Sequence, residues 1–179
     1  MTEARLVPAE TGGLVPGDDG WFVLNARDAR WLDGTLGAYC AWEGRDAARF
    51  ARLGINLNVL QPGVPMAMYH RERTQEGFLV LDGECLLIVD GEERPLRTWD
   101  YFHCPPDVPH TILGAGDRPS LVLAVGNRIP SEEDDLVYPV DPVAQEHGAA
   151  VATETSDPKV AYEGTSNEWR AYEPGWLPD

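Results

Sequence analysis

The chain has 179 residues, 43% of them hydrophobic, which suits one domain with a sizeable core and flanking arms. Its 30 acidic and 14 basic residues give a formal charge of −16, a surface that repels nucleic acid and anionic membranes. No apolar run approaches the roughly 20 residues of a membrane span, and the start, MTEARLVPAE, lacks the basic and apolar pattern of a secretory signal. A cytoplasmic location is therefore expected. Cys40, Cys85 and Cys104 are odd in number and lack CxxC spacing, so they read as buried small side chains, not as disulfides or a thiolate zinc site.

In chain order, residues 1–20 are rich in Pro, Gly and charge and read as a mobile or strand-exchanging arm. WFVLNA and YCAWE, between Gly20 and Glu43, suggest a few irregular strands. DAARFARL, from Asp46 to Leu53, suits a short helix capped by Asp46. From Ile55 short strands alternate with turns: INLNVL before Pro62–Gly63, MAMYHRE, EGFLVL before Asp82–Gly83, and ECLLIV before Asp90–Gly91. Each Asp-Gly is a hairpin signal, because both positions of the tight turn tolerate positive φ. TWDYFHC, HTIL and SLVLAVG complete seven strands at about ten-residue spacing, the pattern of an antiparallel barrel or sandwich. IPSEEDDLVYPVD is an acidic connector containing the run Glu132–Asp135. DPVAQEHGAAV reads as one short helix with Asp141 as its cap and Pro142 at its first position. The tail carries Trp169, Tyr172 and Trp176 as anchors to its own barrel or to a partner subunit. The expected divisions are an N-terminal arm with accessory strands over 1–54, a barrel core over 55–128, and a C-terminal helix and tail over 129–179.

The chemistry-bearing stretches are PGVPMAMYHRERTQEGFLVLDGE and WDYFHCPPDVPHTILGAG. Side chains alternate along a strand, so His70 and Glu72 share a face, and Glu76 has the same parity. His110 follows a Pro-rich corner on a later hairpin. Two hairpins can bring His70, Glu72, Glu76 and His110 to one point inside a small barrel. Mixed imidazole and carboxylate donors suit a single divalent ion of Mn, Fe, Zn or Ni.

These stretches resemble the two signature motifs of the cupin superfamily, over roughly Ile55 to Gly126. The Pro62–Gly63 turn, His70, Glu76 and Gly83 follow the first motif. Asp100, Pro105, Pro106 and His110 follow the second. The resemblance implies an all-β, double-stranded β-helix barrel whose interior metal is held by three His and one Glu. Here the second motif His is Glu72, and Gly63 to His70 is one residue longer than usual. Trp99 stands where the family has Gly before its Asp, and the Asn after the last His is absent.

Glu72 admits three readings. It can be a fourth ligand, favouring harder ions such as Mn or Fe. It can pair with Glu76 in a metal-free barrel, where one of two close carboxyls keeps a proton and acts as acid/base. It can also swing to the barrel mouth and leave three ligands.

His103 is a candidate base or fifth ligand, beside the plainer reading of a packed histidine. His147 ends the expected helix and suits its C-terminal dipole. Tyr69, Arg71 and Arg73 have the opposite parity and are expected to face outward. Met66, Met68, Phe78, Val80 and Phe102 are candidates to line an apolar pocket, beside the reading of plain barrel core.

No phosphate cradle or Arg cluster accompanies the motifs, which argues against phosphorylated substrates. Three functions are compatible with this site. The first is a metal-dependent oxygenase or isomerase acting on a small carbonyl, enol or aromatic compound. The others are a non-catalytic small-molecule binder or sensor, and a metal-free acid/base isomerase using Glu72 and Glu76. By analogy with single-domain cupins, a homodimer is expected.

Overall fold

Strand formation follows the alternation of the sequence, and the described strands divide between two larger sheets and a two-stranded ribbon. The structure, a computed structural model, describes residues 2–44, 46–129 and 135–178. Its strands are β1 (Leu6–Pro8), β2 (Leu14–Pro16), β3 (Arg30–Gly34), β4 (Gly37–Cys40), β5 (Leu53–Leu60) and β6 (Glu76–Asp82). They continue with β7 (Glu84–Val89), β8 (Glu92–Arg97), β9 (Tyr101–Cys104), β10 (His110–Ala115), β11 (Ser120–Asn127) and β12 (Asn167–Ala171). Two short helices, α1 (Pro142–Glu146) and α2 (Pro158–Ala161), lie before β12.

A seven-stranded sheet runs β12-β3-β4-β5-β11-β6-β9 and a three-stranded sheet runs β10-β7-β8. Every strand pairing is antiparallel. Between the sheets lie Leu60 of β5, Phe78 and Val80 of β6, Cys85 and Leu87 of β7, Cys104 of β9, Ile112 of β10 and Val122 and Ala124 of β11. These positions have period two within each strand, the mark of sheets with one face toward a common core. This is the all-β barrel that the strand pattern implies.

The other faces are covered too. Behind β10 and β7, Tyr69, Ile88 and Leu113 pack with Ala144 and Ala149 from the α1 region. Asp141 accepts from Ala144 N at 2.8 Å, with Pro142 opening α1, as the Asp-Pro pair suggests. The same device, Asp157 before Pro158, starts α2 and escaped the sequence reading. On the outer face of the large sheet, fully buried Trp31 packs at a tilt, 5.0 Å from Trp176 and 6.1 Å from Tyr172 between ring centroids. Trp169 lies under the Arg30 guanidinium at 3.9 Å. The aromatic anchors thus hold the tail on the chain's own sheet, and β12 pairs with β3. The N-terminal arm is likewise folded back as the β1–β2 ribbon, bridged at Glu3–Trp21 and Leu14–Ala29. Both ends are thus folded onto the chain itself.

Four local expectations need correction. Asp46–Leu53 holds one 3₁₀ turn, Asp46–Ala48, and no longer helix. Asp46 has φ 51°, which is not the extended backbone of an N-cap, and Leu53 already pairs with Asn127. Asp90–Gly91 closes a two-residue hairpin between β7 and β8 with both φ positive, 51° and 74°. Asp82–Gly83 does not close one: β6 pairs with β11 and β9 while β7 pairs with β10 and β8, so the chain turns a corner between sheets. MAMYHRE forms isolated bridges instead of a ladder strand, and the seventh strand of the region is EERPLR, β8. Its Pro95 is tolerated because β8 is an edge strand. Within the acidic run, residues 132–134 lie outside the described residues; Asp135 pairs with Arg73 at 2.9 Å. No helix among the described residues is long and apolar enough to cross a membrane.

Candidate metal centre

His70 and His110 face each other across an antiparallel bridge, exchanging both backbone hydrogen bonds at 3.2 and 2.9 Å. Directly opposed residues project to the same face, and the two imidazole centroids are 5.1 Å apart. Glu76 opens β6 between Cys104 of β9 and Gly126 of β11, facing the interior. Its Oε2 lies 3.2 Å from His110 Nε2. One donor atom from each of His70, Glu76 and His110 lies within 4.8 Å of the others.

The ring orientations are set from behind. His70 Nδ1 is 2.7 Å from the Met68 carbonyl oxygen, and His110 Nδ1 is 3.1 Å from that of Val108. A carbonyl only accepts, so each Nδ1 carries hydrogen, and a ring in its neutral form would present the Nε2 lone pair. Outer hydrogen bonds fix metal-binding imidazoles in this way. Cys104 Sγ also touches His110 Nδ1 at 3.3 Å. The Phe78 and Phe102 rings wall His110 at 5.2 and 5.7 Å. Tyr138 stands 6.1 Å from His70.

Glu76 Oε2 and His110 Nε2 are buried without a hydrogen-bond partner, although they are close enough for an ion pair. They are near but not aligned to bond each other. Buried polar atoms are rarely left so. Two imidazole nitrogens and a carboxylate gathered at one place are donors suited to a divalent transition ion. Without the ion, burial depresses the His110 pKa, but the contacts with Cys104 and with the Glu76 carboxylate outweigh it and push the group up to about 10. Burial, then the charge of His110, holds His70 below its ordinary value.

Glu72 stands outside the three-residue group. The ladder lapses after Arg71, and the Glu72 carboxylate accepts the Thr74 hydroxyl at 2.5 Å. Burial and then the neighbouring Glu76 charge raise its pKa. Three donors thus stand together, with a fourth acidic group beside them.

A cavity of about 240 Å³ opens there, lined by Glu72, Thr74, Glu76, Asn56, Asn127 and Arg128, with Gly54, Ala124 and Gly126. Its origin is a taper in side-chain size. Opposed interior pairs on β5 and β11 shrink from Asn58–Val122 to Asn56–Ala124 to Gly54–Gly126. The lining is polar, not the apolar set expected. Phe78 and Val80 are barrel core, with Met66 and Phe102 packed against it. Met68 is buried with Tyr138, Val151 and Ala161. Met66 also borders a second cavity of about 370 Å³, with Tyr39 and Tyr162.

His103 is exposed, because Phe102 and Cys104 take the interior positions of β9; it reaches neither the cluster nor the cavity. Tyr69 does not face outward either. It is buried under α1, and its hydroxyl accepts from Gly91 N at 3.1 Å. Arg71 and Arg73 do face solvent, paired with Asp107 and Asp135. His147 is the C-cap of α1 and bonds Glu93 at 2.6 Å. The sequence reading missed Cys104, Asn56, Thr74, Asn127 and Arg128. One signal was available: Asn56 and Asn58 are polar at alternate positions of an otherwise apolar strand.

Comparison with known proteins agrees with this geometry. The family profile described as "Cupin domain" matches residues 56–126, the stretch that carries all three donors. A 3-hydroxyanthranilate 3,4-dioxygenase of Xanthomonas euvesicatoria is 35% identical over 74 residues, 39% of this chain and 42% of that protein. The chain therefore spans about two fifths of that relative's length. A β-D-galactosidase of Mycobacterium tuberculosis is 35% identical over 81 residues, 45% of this chain and 69% of the relative. Among solved structures, a sugar phosphate isomerase of the cupin superfamily from Silicibacter pomeroyi is 26% identical, covering 63% of this chain and 71% of that one, with a TM-score of 0.47. A cupin 2 conserved barrel domain protein from Salinispora arenicola is 21% identical, covering 51% and 76%, with a TM-score of 0.45. By motif, strand order and profile together, this chain belongs to the cupin superfamily.

Proposed function

We propose that this chain is a metal-dependent enzyme acting on a small, non-phosphorylated carbonyl, enol or aromatic compound, with the ion held by His70, Glu76 and His110. The supporting observation is the buried, unpartnered pair of Glu76 Oε2 and His110 Nε2 beside the third donor. Two His and one carboxylate, with positions left open, is the donor set of non-haem iron oxygenases, which favours oxygenase over isomerase chemistry. An ion there would polarise a bound oxygen atom or activate O₂. The chain's own residues supply the rest. Phe78, Phe102 and Tyr138 keep bulk water from the imidazoles, while Asn56, Thr74 and Asn127 offer hydrogen bonds to a ligand in the cavity. Glu72, with its raised carboxyl, is placed to take or return a proton at a ligand hydroxyl.

The names of the relatives point to different chemistries, an aromatic ring dioxygenase and a glycosidase, and neither is transferred whole. The test is metal analysis of protein purified without chelator, followed by oxygen uptake with catechols and small dicarbonyls. One ion per chain and turnover support the enzyme. One ion and saturable binding without turnover support a binder or sensor. The raised Glu72 carboxyl beside Glu76 favours a second reading, metal-free acid/base isomerisation, which an ion-free and unloadable protein would support.

A further inference from the structure

The cavity beside the metal centre contains one cation among its described lining residues, Arg128, and that cation is already engaged. Its guanidinium forms a two-pronged pair with Glu43, Nη1 to Oε2 and Nη2 to Oε1, both 2.8 Å, and Nη1 also donates to the Phe50 carbonyl at 2.8 Å. The pair is well buried, with side chains 22% and 17% exposed, and Glu43 is anchored further by accepting from Phe50 N at 2.9 Å. The guanidinium lies over Gly54, where a built Cβ would meet Arg128 Nε at 3.5 Å, so it forms part of the cavity wall.

The remaining polar lining consists of the amides of Asn56 and Asn127, the Thr74 hydroxyl and the Glu72 and Glu76 carboxylates. Amides and hydroxyls satisfy a ligand's hydroxyl or carbonyl groups. With the ion's charge offset by Glu76 and by the ligand's own chelating oxygen, a further anion placed among them meets the Glu72 carboxylate and an arginine whose charge Glu43 offsets. Burying such an anion without a partner costs several kcal/mol. Discrimination of this kind arises from repulsion as much as from attraction.

We propose that this cavity takes a neutral, hydroxyl-bearing small molecule and rejects carboxylates and phosphate esters, and that Glu43 sets the preference by holding Arg128. This deepens the metal-enzyme reading and rests on it.

The probes are catechol and 3,4-dihydroxybenzoate, which share the metal-chelating diol and differ by one carboxylate. The metal content of the protein is measured first, and each probe is then titrated calorimetrically into the metal-loaded chain. The expected result is catechol binding about tenfold or more tighter than 3,4-dihydroxybenzoate. Glu43→Gln, which frees part of the guanidinium, should bring the two within about threefold by strengthening the benzoate, not by weakening catechol. Should Glu43→Gln fail to fold, Glu72→Gln should narrow the ratio in the same direction. A wild-type ratio well below tenfold, or neither probe binding, overturns the selectivity while leaving the metal centre standing. A chain that takes up no metal overturns the underlying reading and the selectivity with it.

Discussion

Glu72 and His110 carry the sharpest consequences at the level of single residues. The Glu72 carboxylate accepts the Thr74 hydroxyl and stands outside the three-donor group. Glu72→Ala should therefore keep about one ion per chain, with affinity changed by less than the 10–100-fold typical of lost outer contacts. Glu76→Ala should lose the ion. Competition with a chromophoric chelator measures both. His110 keeps its proton to a pH of about 10 in the metal-free pocket, because the Cys104 and Glu76 contacts overcome burial. A bound ion needs that nitrogen's lone pair, so loading at neutral pH must expel the proton. Affinity should then rise about tenfold per pH unit, with close to one proton released per ion. Calorimetry in buffers of different ionisation enthalpy counts the protons, and zero release would contradict the assignment.

The parity of His70 and Glu72 was legible from the sequence, but the hydroxyl that captures Glu72 sits in a loop where parity no longer applies. His103 shows the same boundary. YFHC has two faces, and only the pairing of Cys104 with Glu76 decides which of them enters the barrel. That choice is tertiary.

Elements were easier to read than their partners. Asp82–Gly83 and Asp90–Gly91 look alike locally, yet only the second closes a hairpin, because β6 finds β11 and β9 from distant sequence. The turn before β9 offers a direct test. Trp99 has φ 76° and is 72% exposed, so a side chain that disfavours left-handed backbone has little packing in compensation. Its amide still donates to Val80 O at 2.8 Å. Trp99→Gly should stabilise the chain by about 1 kcal/mol, seen as a higher midpoint in urea. The taper of β5 and β11 is the other element-scale feature. Gly126 sits opposite Gly54 with ordinary negative φ, and an added Cβ would stand 3.5 Å from Glu76 Oε1. Gly126→Val should fold, retain metal and bind small ligands at least about tenfold more weakly, because it fills the cavity. Unchanged ligand affinity would place the binding site elsewhere.

The whole molecule is a barrel wrapped by its own ends. Composition and turn spacing made the antiparallel all-β class legible, and the Asp141–Pro142 pair placed α1. What the ends cover was not legible. Strand parity alone points Tyr69 outward, whereas Ala144 of α1 and Ala149 of the following loop, far along the chain, supply the apolar surface it packs on. Trp169, Tyr172 and Trp176 were readable as anchors, but their partners Arg30, Tyr39 and Trp31 lie at the other end of the chain. The polar lining of the cavity was not legible for a similar reason. Large apolar residues fill the barrel interior, while the opening arises where opposed strands run out of side chains.

His70 and His110, opposed across one bridge, and Glu76 at the start of β6 come from distant stretches of the chain to one point suited to hold an ion. Anomalous diffraction from crystals of protein purified without chelator, collected at the absorption edge of the ion found by elemental analysis, tests it most directly. One peak is expected, about 2.0–2.2 Å from His70 Nε2, His110 Nε2 and a Glu76 carboxylate oxygen. A peak elsewhere, or none after loading with Fe, Mn, Zn and Ni in turn, would contradict it.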